Sequence, residues 1–203
     1  MKAMWVTDRA ACGPERFDAV LAALAGADGL CVQLREKELA GLESLTLARH
    51  CREVLGPEVT LLVNRRFDVA LSAGAQGTQL PADGLPLARV RANTPRGFRI
   101  GVSAHSPEEA TRAIEEGADI VVLGPIFDTP SKRAFGPPLG LAALDRLPPR
   151  ESHGADVYAI GGVRLNNLEE IARRGGRVSG AAAIRLFQDS PDPRALAERM
   201  TRL

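Results

Sequence analysis

Short apolar runs alternate along the chain with longer amphipathic stretches, and the passage between them repeats. An alanine-rich helical stretch ends at glycine and leads directly into apolar residues, as in Ala25-Gly26-Ala27-Asp28-Gly29-Leu30, Ala73-Gly74-Ala75-Gln76-Gly77-Thr78 and Glu116-Gly117-Ala118-Asp119-Ile120-Val121. Glycine there fits the residue that caps a helix at its carboxyl end. Extending the pattern predicts strands near residues 3–7, 29–35, 58–63, 76–80, 98–102, 119–124, 155–160 and 177–182, with helical stretches between and after them. Strands that alternate with helices pair in parallel through right-handed crossovers, and eight such units suggest a closed (β/α)8 barrel. An open, doubly wound sheet is the competing architecture. At about 25 residues per unit the helices and loops must be short, because roughly 200 residues is the lower limit of the barrel fold. Residues 1–203 are expected to form one such domain.

In a barrel the residues just past each strand build the active site. Here they are Thr7 and Asp8, then Arg35 and Lys37, then Asn64-Arg65-Arg66, Gln79, and Ser103 with His105. The segment Val32-Gln33-Leu34-Arg35-Glu36-Lys37 is the most pointed of these. Read as a continuing strand, it places Gln33, Arg35 and Lys37 on one face, where an amide, a guanidinium and an ammonium would meet an anion. The alternative is a half-exposed strand whose polar face looks at water. After the sixth predicted strand, residues 124–140 form a connection far longer than a usual βα loop, rich in Gly, Pro, Ser and Thr, and predicted to act as a lid carrying Lys132. Near the end of the chain, Gly161-Gly162 and the small residues Ala182-Ala183 close the seventh and eighth strands. Backbone N–H groups there are free to approach a phosphate, between the two loops where barrels often bind one.

Composition narrows the classes. With 203 residues and 45% apolar content the chain can bury a large core, and 26 Lys and Arg against 25 Asp and Glu leave no basic footprint for nucleic acid or a membrane surface. No signal-like apolar run opens the sequence, and no stretch approaches the roughly 20 apolar residues of a spanning helix, so a soluble, cytoplasmic protein is expected. Cys12, Cys31 and Cys51 have no metal-ligand spacing and are read as thiols without a chemical role. His50 and His153 are read as surface residues. The oligomeric state is left open.

Val6-Thr7-Asp8, Val32 through Lys37, Leu62-Val63-Asn64, Ile100 through Ser106, Gly124-Pro125-Ile126-Phe127 with Thr129 through Lys132, and Ile160-Gly161-Gly162-Val163 together resemble the thiamine phosphate synthase family, in the family's order and over nearly the whole chain. The resemblance implies a transferase that joins a pyrimidine, carried as a magnesium diphosphate, to a phosphorylated thiazole, releasing pyrophosphate. It implies catalytic roles for Arg35, Lys37 and Lys132. Gln33, Asn64, Ser103, Thr129 and Ser131 would line the diphosphate and pyrimidine side, and Gly161, Gly162, Ala182 and Ala183 would hold the thiazole phosphate.

Several positions depart from that pattern. The resemblance implies Mg²⁺, yet the aspartates that help bind it are replaced by Arg65 and Gly84, with Asp83 one residue from the second position, and the usual His after the fourth strand is Gln79. Arg65 is expected to take over part of the cation's charge. The related thiazole tautomerase branch carries an imidazole after the sixth strand, where this chain has Pro125; His105 or Asp128 would have to substitute. A noncatalytic carrier of thiazole phosphate is the third reading, and sugar-phosphate barrels of other kinds are a distant fourth.

Overall fold

The computed structural model describes residues 1–130, 133 and 136–203. Its sheet is a closed parallel barrel in sequence order, β8 pairing back onto β1, which settles the architecture against the open sheet. The strands are β1 Lys2–Val6, β2 Leu30–Leu34, β3 Thr60–Asn64, β4 Gly77–Leu80, β5 Arg99–Ala104, β6 Ile120–Leu123, β7 Asp156–Ile160 and β8 Gly180–Ala183. Helices α1 Arg9–Cys12 and α2 Pro14–Ala23 follow β1, and α3 Gly41–Leu55, α4 Phe67–Ser72, α5 Leu87–Arg91 and α6 Pro107–Glu115 follow β2 to β5. After the long connection come α7 Ala142–Asp145, α8 Leu168–Ala172, α9 Arg185–Gln188 and α10 Pro193–Arg202. Most are one to three turns long, as the length per unit requires. Among the described residues no helix is long and apolar enough to cross a membrane.

Strands covered on both faces read as apolar runs, and β2, β4, β6 and β8 are buried at every position. Alternation divides the side chains between two cores. Met4, Val6, Cys31, Leu62, Ile120, Val122, Tyr158 and Ala182 fill the barrel interior, while Ala3, Trp5, Val32, Leu61 and Val121 face outward against the helices. The seam is tight: a Cβ on Gly180 would lie 1.9 Å from the Lys2 carbonyl oxygen, so β8 reaches β1 only with glycine at that point.

The strand register shows how the interior is layered. Lys2, Arg99 and Asp156 share the inward face at the amino end, where the buried Asp156 carboxylate accepts hydrogen bonds from Lys2 Nζ at 2.7 Å and Arg99 Nη2 at 2.8 Å. At the carboxyl end the inward positions divide by chemistry. Gln33, Asn64, Gln79 and Ser103 come from the consecutive strands β2 to β5, and Val122, Ile160, Ala182 and Val6 from the remaining strands.

One expectation is corrected. The strand β2 stops at Leu34, so Arg35 and Lys37 do not extend its inward face beside Gln33. The Arg35 N–H leaves the ladder to donate to Thr7 Oγ1 at 2.9 Å, and a side-chain acceptor that competes with the sheet ends the strand.

Burial alone would push the Asp156 carboxyl up, but the Lys2 and Arg99 hydrogen bonds and charges outweigh it and hold the group below its ordinary 3.8. A carboxyl lowered by folding stabilises fully above its unfolded value, and that contribution is lost as pH falls through the lower folded value. Asp156→Asn is therefore expected to flatten stability against pH below 3.8. At neutral pH it is expected to destabilise by about 1–3 kcal/mol, less than for a fully buried pair because both cations reach water. Urea unfolding across the acid range reads both effects.

Candidate active site

A cavity of about 660 Å³ opens at the carboxyl ends of the strands, a volume suited to a small ligand. Val6, Val122, Ile160 and Ala182 line its apolar part, and Gln33, Arg35, Ser103, His105, Thr129 and the backbone of Gly161 and Gly162 bring polar groups to the same space.

The wall made by β6 and β7 is held by backbone. The Ile126 N–H donates to the Ile160 carbonyl at 2.8 Å and the Phe127 N–H to the Gly161 carbonyl at 3.0 Å. Gly161 and Gly162 lie at φ +96° and +64°, and a Cβ on either would come within 2.6 Å of Pro125 or of the Asp128 carbonyl. These glycines thus serve close packing of two loops and leave peptide edges facing the cavity. The Gly124-Pro125 peptide is cis, and His105 Nδ1 lies 3.1 Å from the Gly124 carbonyl oxygen. A carbonyl only accepts, so Nδ1 is the donor in this contact.

On the β2 to β5 side the inward amides pair with each other. Gln33 Nε2 donates to Asn64 Oδ1 at 3.2 Å, and Gln79 Nε2 donates to Ser103 Oγ at 3.1 Å. Gln79 is fully buried beside Gly101, whose missing side chain makes room for it: a Cβ there would lie 2.0 Å from Gln79 Oε1. Gln33 and Ser103 line the cavity, and Asn64 and Gln79 stand behind them as their hydrogen-bond partners.

Arg35 reaches the cavity from just past β2, where a small network fixes its backbone. Buried Thr7 donates its N–H to the Gln33 carbonyl at 3.0 Å, accepts the Arg35 N–H on Oγ1, and donates its hydroxyl to one Glu36 carboxylate oxygen. The other Glu36 oxygen accepts the Arg9 N–H at 2.8 Å. Burial pushes the Glu36 carboxyl above its ordinary 4.5; the bonds from Thr7 and Arg9 pull it down, and the acidic neighbours Glu38 and Asp8 add to the rise.

Of the residues singled out in the sequence, the cavity brings together Gln33, Arg35, Ser103, Thr129, Gly161, Gly162, Ala182 and Ala183. Lys37 stands in an exposed turn beyond the end of β2 and is not among the lining residues. Ser131 and Lys132 lie outside the described residues. The sequence reading missed Arg164 and Arg185, which also line the cavity. Each stands one or two residues past a strand-end motif that had been read for its backbone alone, and that position was the available signal.

The fold and the placement of the cavity define a (β/α)8 barrel that works at the carboxyl ends of its strands. The pattern of the family described as thiamine monophosphate synthase matches residues 3–187, and the chain belongs to that family. It is 40% identical over 181 residues to a thiamine-phosphate synthase of Methanoculleus marisnigri, covering 89% of this chain and 83% of the relative. To a thiamine-phosphate synthase of Albidiferax ferrireducens it is 34% identical over 199 residues, covering 98% and 89%. A solved structure of thiamine phosphate pyrophosphorylase from Pyrococcus furiosus superposes with a TM-score of 0.82 at 30% identity, covering 99% of this chain and 94% of that one.

The residues present do not fit a magnesium ion held by the protein. Asp83 is paired with Arg65 Nη2 at 3.2 Å, and both line a separate recess of about 340 Å³ with Leu80 and Leu85. Arg65 is held there with φ +64° by its N–H bond to the Gln79 carbonyl at 2.8 Å. Asp128 is paired with Arg133 at 2.6 Å, which holds its carboxyl below the usual range. Among the described residues no group of three or more His, Cys, Asp or Glu converges in a way that could hold a metal. A hard divalent cation needs several oxygen ligands, and here Asp83 and Asp128 face arginines instead.

Calorimetric titration of Mg²⁺ into the substrate-free protein is accordingly expected to show no saturable binding in the millimolar range. Binding that Asp83→Asn abolishes would show the pair opening to admit a cation. Gly162→Ala is expected to push the 125–128 loop away and to destabilise by about 1–3 kcal/mol, the usual scale of overpacking. Thermal melting, with inorganic phosphate as a probe of the cavity, checks it.

Proposed function

We propose that this protein couples hydroxymethylpyrimidine diphosphate to thiazole phosphate, giving thiamine phosphate and pyrophosphate. The thiazole ring nitrogen supplies the electron pair for the new C–N bond, and the C–O bond between the pyrimidine methylene carbon and the diphosphate breaks, its bonding pair leaving with the diphosphate. The observation that carries the reading is the gathering, in one cavity of about 660 Å³, of Arg35 with Gln33 and Ser103, the Gly161-Gly162 and Ala182-Ala183 backbone, and an apolar patch.

Each part has a task. The planar Arg35 guanidinium grips two oxygens of the departing diphosphate and stabilises charge as it develops. Gln33 and Ser103 hold the pyrimidine side, with Asn64 fixing the Gln33 amide and Gln79 fixing the Ser103 hydroxyl. Thr129 closes on the diphosphate. Lys132 and Ser131 join it there on the strength of the family resemblance, as does Lys37 from its turn. The backbone at Gly161, Gly162, Ala182 and Ala183 receives the thiazole phosphate. Val6, Val122 and Ile160 keep water from the methylene carbon, where it would compete with the thiazole nitrogen and give an alcohol. Alignment of the two partners supplies the rest of the acceleration.

The test is incubation of the purified protein with both substrates, with and without Mg²⁺, following thiamine phosphate and the tautomeric state of the thiazole together. Thiamine phosphate is the expected product. Change in the tautomer alone, or binding without turnover, would overturn the reading. Arg35→Ala is expected to lower kcat/KM by the equivalent of about 2–4 kcal/mol, the scale of one preorganised electrostatic contact.

A further inference from the structure

Glu36 is a carboxylate of the wrong sign in the wrong place. It follows in the chain the arginine proposed to receive a diphosphate, and the acidic Glu38 and Asp8 act on it with the same sign of charge. Among the described residues it makes no ion pair; its two oxygens are taken by the Thr7 hydroxyl and the Arg9 N–H. A half-buried carboxylate without a cation is unfavourable, and beside an anion site its field opposes the ligand. Its presence there calls for a contribution other than charge.

The hydrogen bonds show what that contribution is. Glu36 lies past the end of β2, and Arg9 opens α1, so the carboxylate bridges the loops that follow β1 and β2. Thr7 stands between them. Through its N–H it holds the Gln33 carbonyl, and through Oγ1 it holds the Arg35 N–H, so a single fully buried threonine grips the backbone of two cavity residues. The Thr7 hydroxyl has one proton. Because that proton goes to Glu36, the lone pairs of Oγ1 are turned toward the Arg35 N–H.

We infer that Glu36 is a positioning residue: with Thr7 it forms a strut between the β1 and β2 loops that sets Arg35 against the cavity. This rests on the reading of Arg35 as a diphosphate contact. The strut offsets the charge it introduces by fixing where the arginine starts, since misplacement by about 1 Å can lose roughly 100-fold in rate.

The sign of the effect on anion binding separates this from a purely electrostatic role. With inorganic pyrophosphate as the probe, Glu36→Ala and Thr7→Val are each expected to weaken binding roughly 10- to 100-fold, the range over which supporting residues act on the group they orient. Glu36→Gln removes the charge and keeps the Arg9 N–H on its amide oxygen, but its amide N–H can meet Thr7 only by reversing that bond and leaving the hydroxyl proton without its acceptor; it is expected to bind pyrophosphate more weakly than the parent and more tightly than Glu36→Ala. If Glu36 acted only through its field, Ala and Gln would both tighten binding, and that result overturns the inference. So does a Glu36→Ala protein that melts lower yet binds pyrophosphate unchanged, which would make the residue structural only. Arg35→Ala is measured beside them. If it leaves pyrophosphate binding intact, the functional reading of Arg35 fails; if it weakens binding while Thr7→Val and Glu36→Ala do not, the strut alone fails.

Discussion

Closure of the sheet is the constraint on which the rest of this molecule depends. For β8 to pair with β1, Gly180 must pass so near the Lys2 carbonyl that no side chain is tolerated there. Once the ring is closed, the register of all eight strands is tied together, and every second residue is committed to the interior. That commitment gathers the Asp156, Lys2 and Arg99 charges at one end and lifts a row of amides and hydroxyls, Gln33, Asn64, Gln79 and Ser103, toward the other. The site is a consequence of alternation as much as of its loops.

The two halves of that upper layer are chemically unlike, and the contrast suits the reaction. On β2 to β5 the polar side chains pair sideways, so each group that reaches the cavity has its orientation fixed by a neighbour on the next strand. On β6 to β8 and β1 the layer is apolar, and the polar contacts come from loop backbone and rim arginines instead. A bond that breaks to leave positive character on carbon needs a dry surface on one side and anion contacts on the other. A uniformly polar barrel mouth would admit water, and a uniformly apolar one would leave a diphosphate unsolvated.

The eight strands were legible within three residues at each end, because strands buried on both faces are short apolar runs and the glycine that precedes many of them ends a helix. The strand-end residues were legible for the same reason, as the barrel fixes where to look. What could not be read was set by contacts between distant segments. Nothing local shows that Thr7 and Glu36 would stop β2 before Arg35 and send Lys37 into a turn, since those bonds join residues 28 and 29 positions apart. Nor does the sequence show that Arg65 would take Asp83 as its partner, 18 positions away, across a separate recess. The rim positions of Arg164 and Arg185 are set by where the loops after β7 and β8 turn, and their glycine and alanine neighbours signal only backbone chemistry.

Pairing between distant segments also decides how the site handles charge. Three carboxylates on the loops past the strands are committed to local partners: Asp83 to Arg65, Asp128 to Arg133, and Glu36 to Thr7 and Arg9. A carboxylate with its lone pairs occupied by arginine or backbone N–H cannot at the same time serve a hard cation well. These three carboxylates therefore act mainly as braces for loops, and on the proposed reading the cationic side chains are the ones that would meet the anion. Such a division favours geometry over charge count. On the proposed reading, an arginine fixed by its backbone would hold one diphosphate pose, whereas a hydrated metal shared with the ligand tolerates several. In a coupling that depends on aligning two bound partners, the narrower pose would place the thiazole nitrogen in line with the departing oxygen before the bond begins to break.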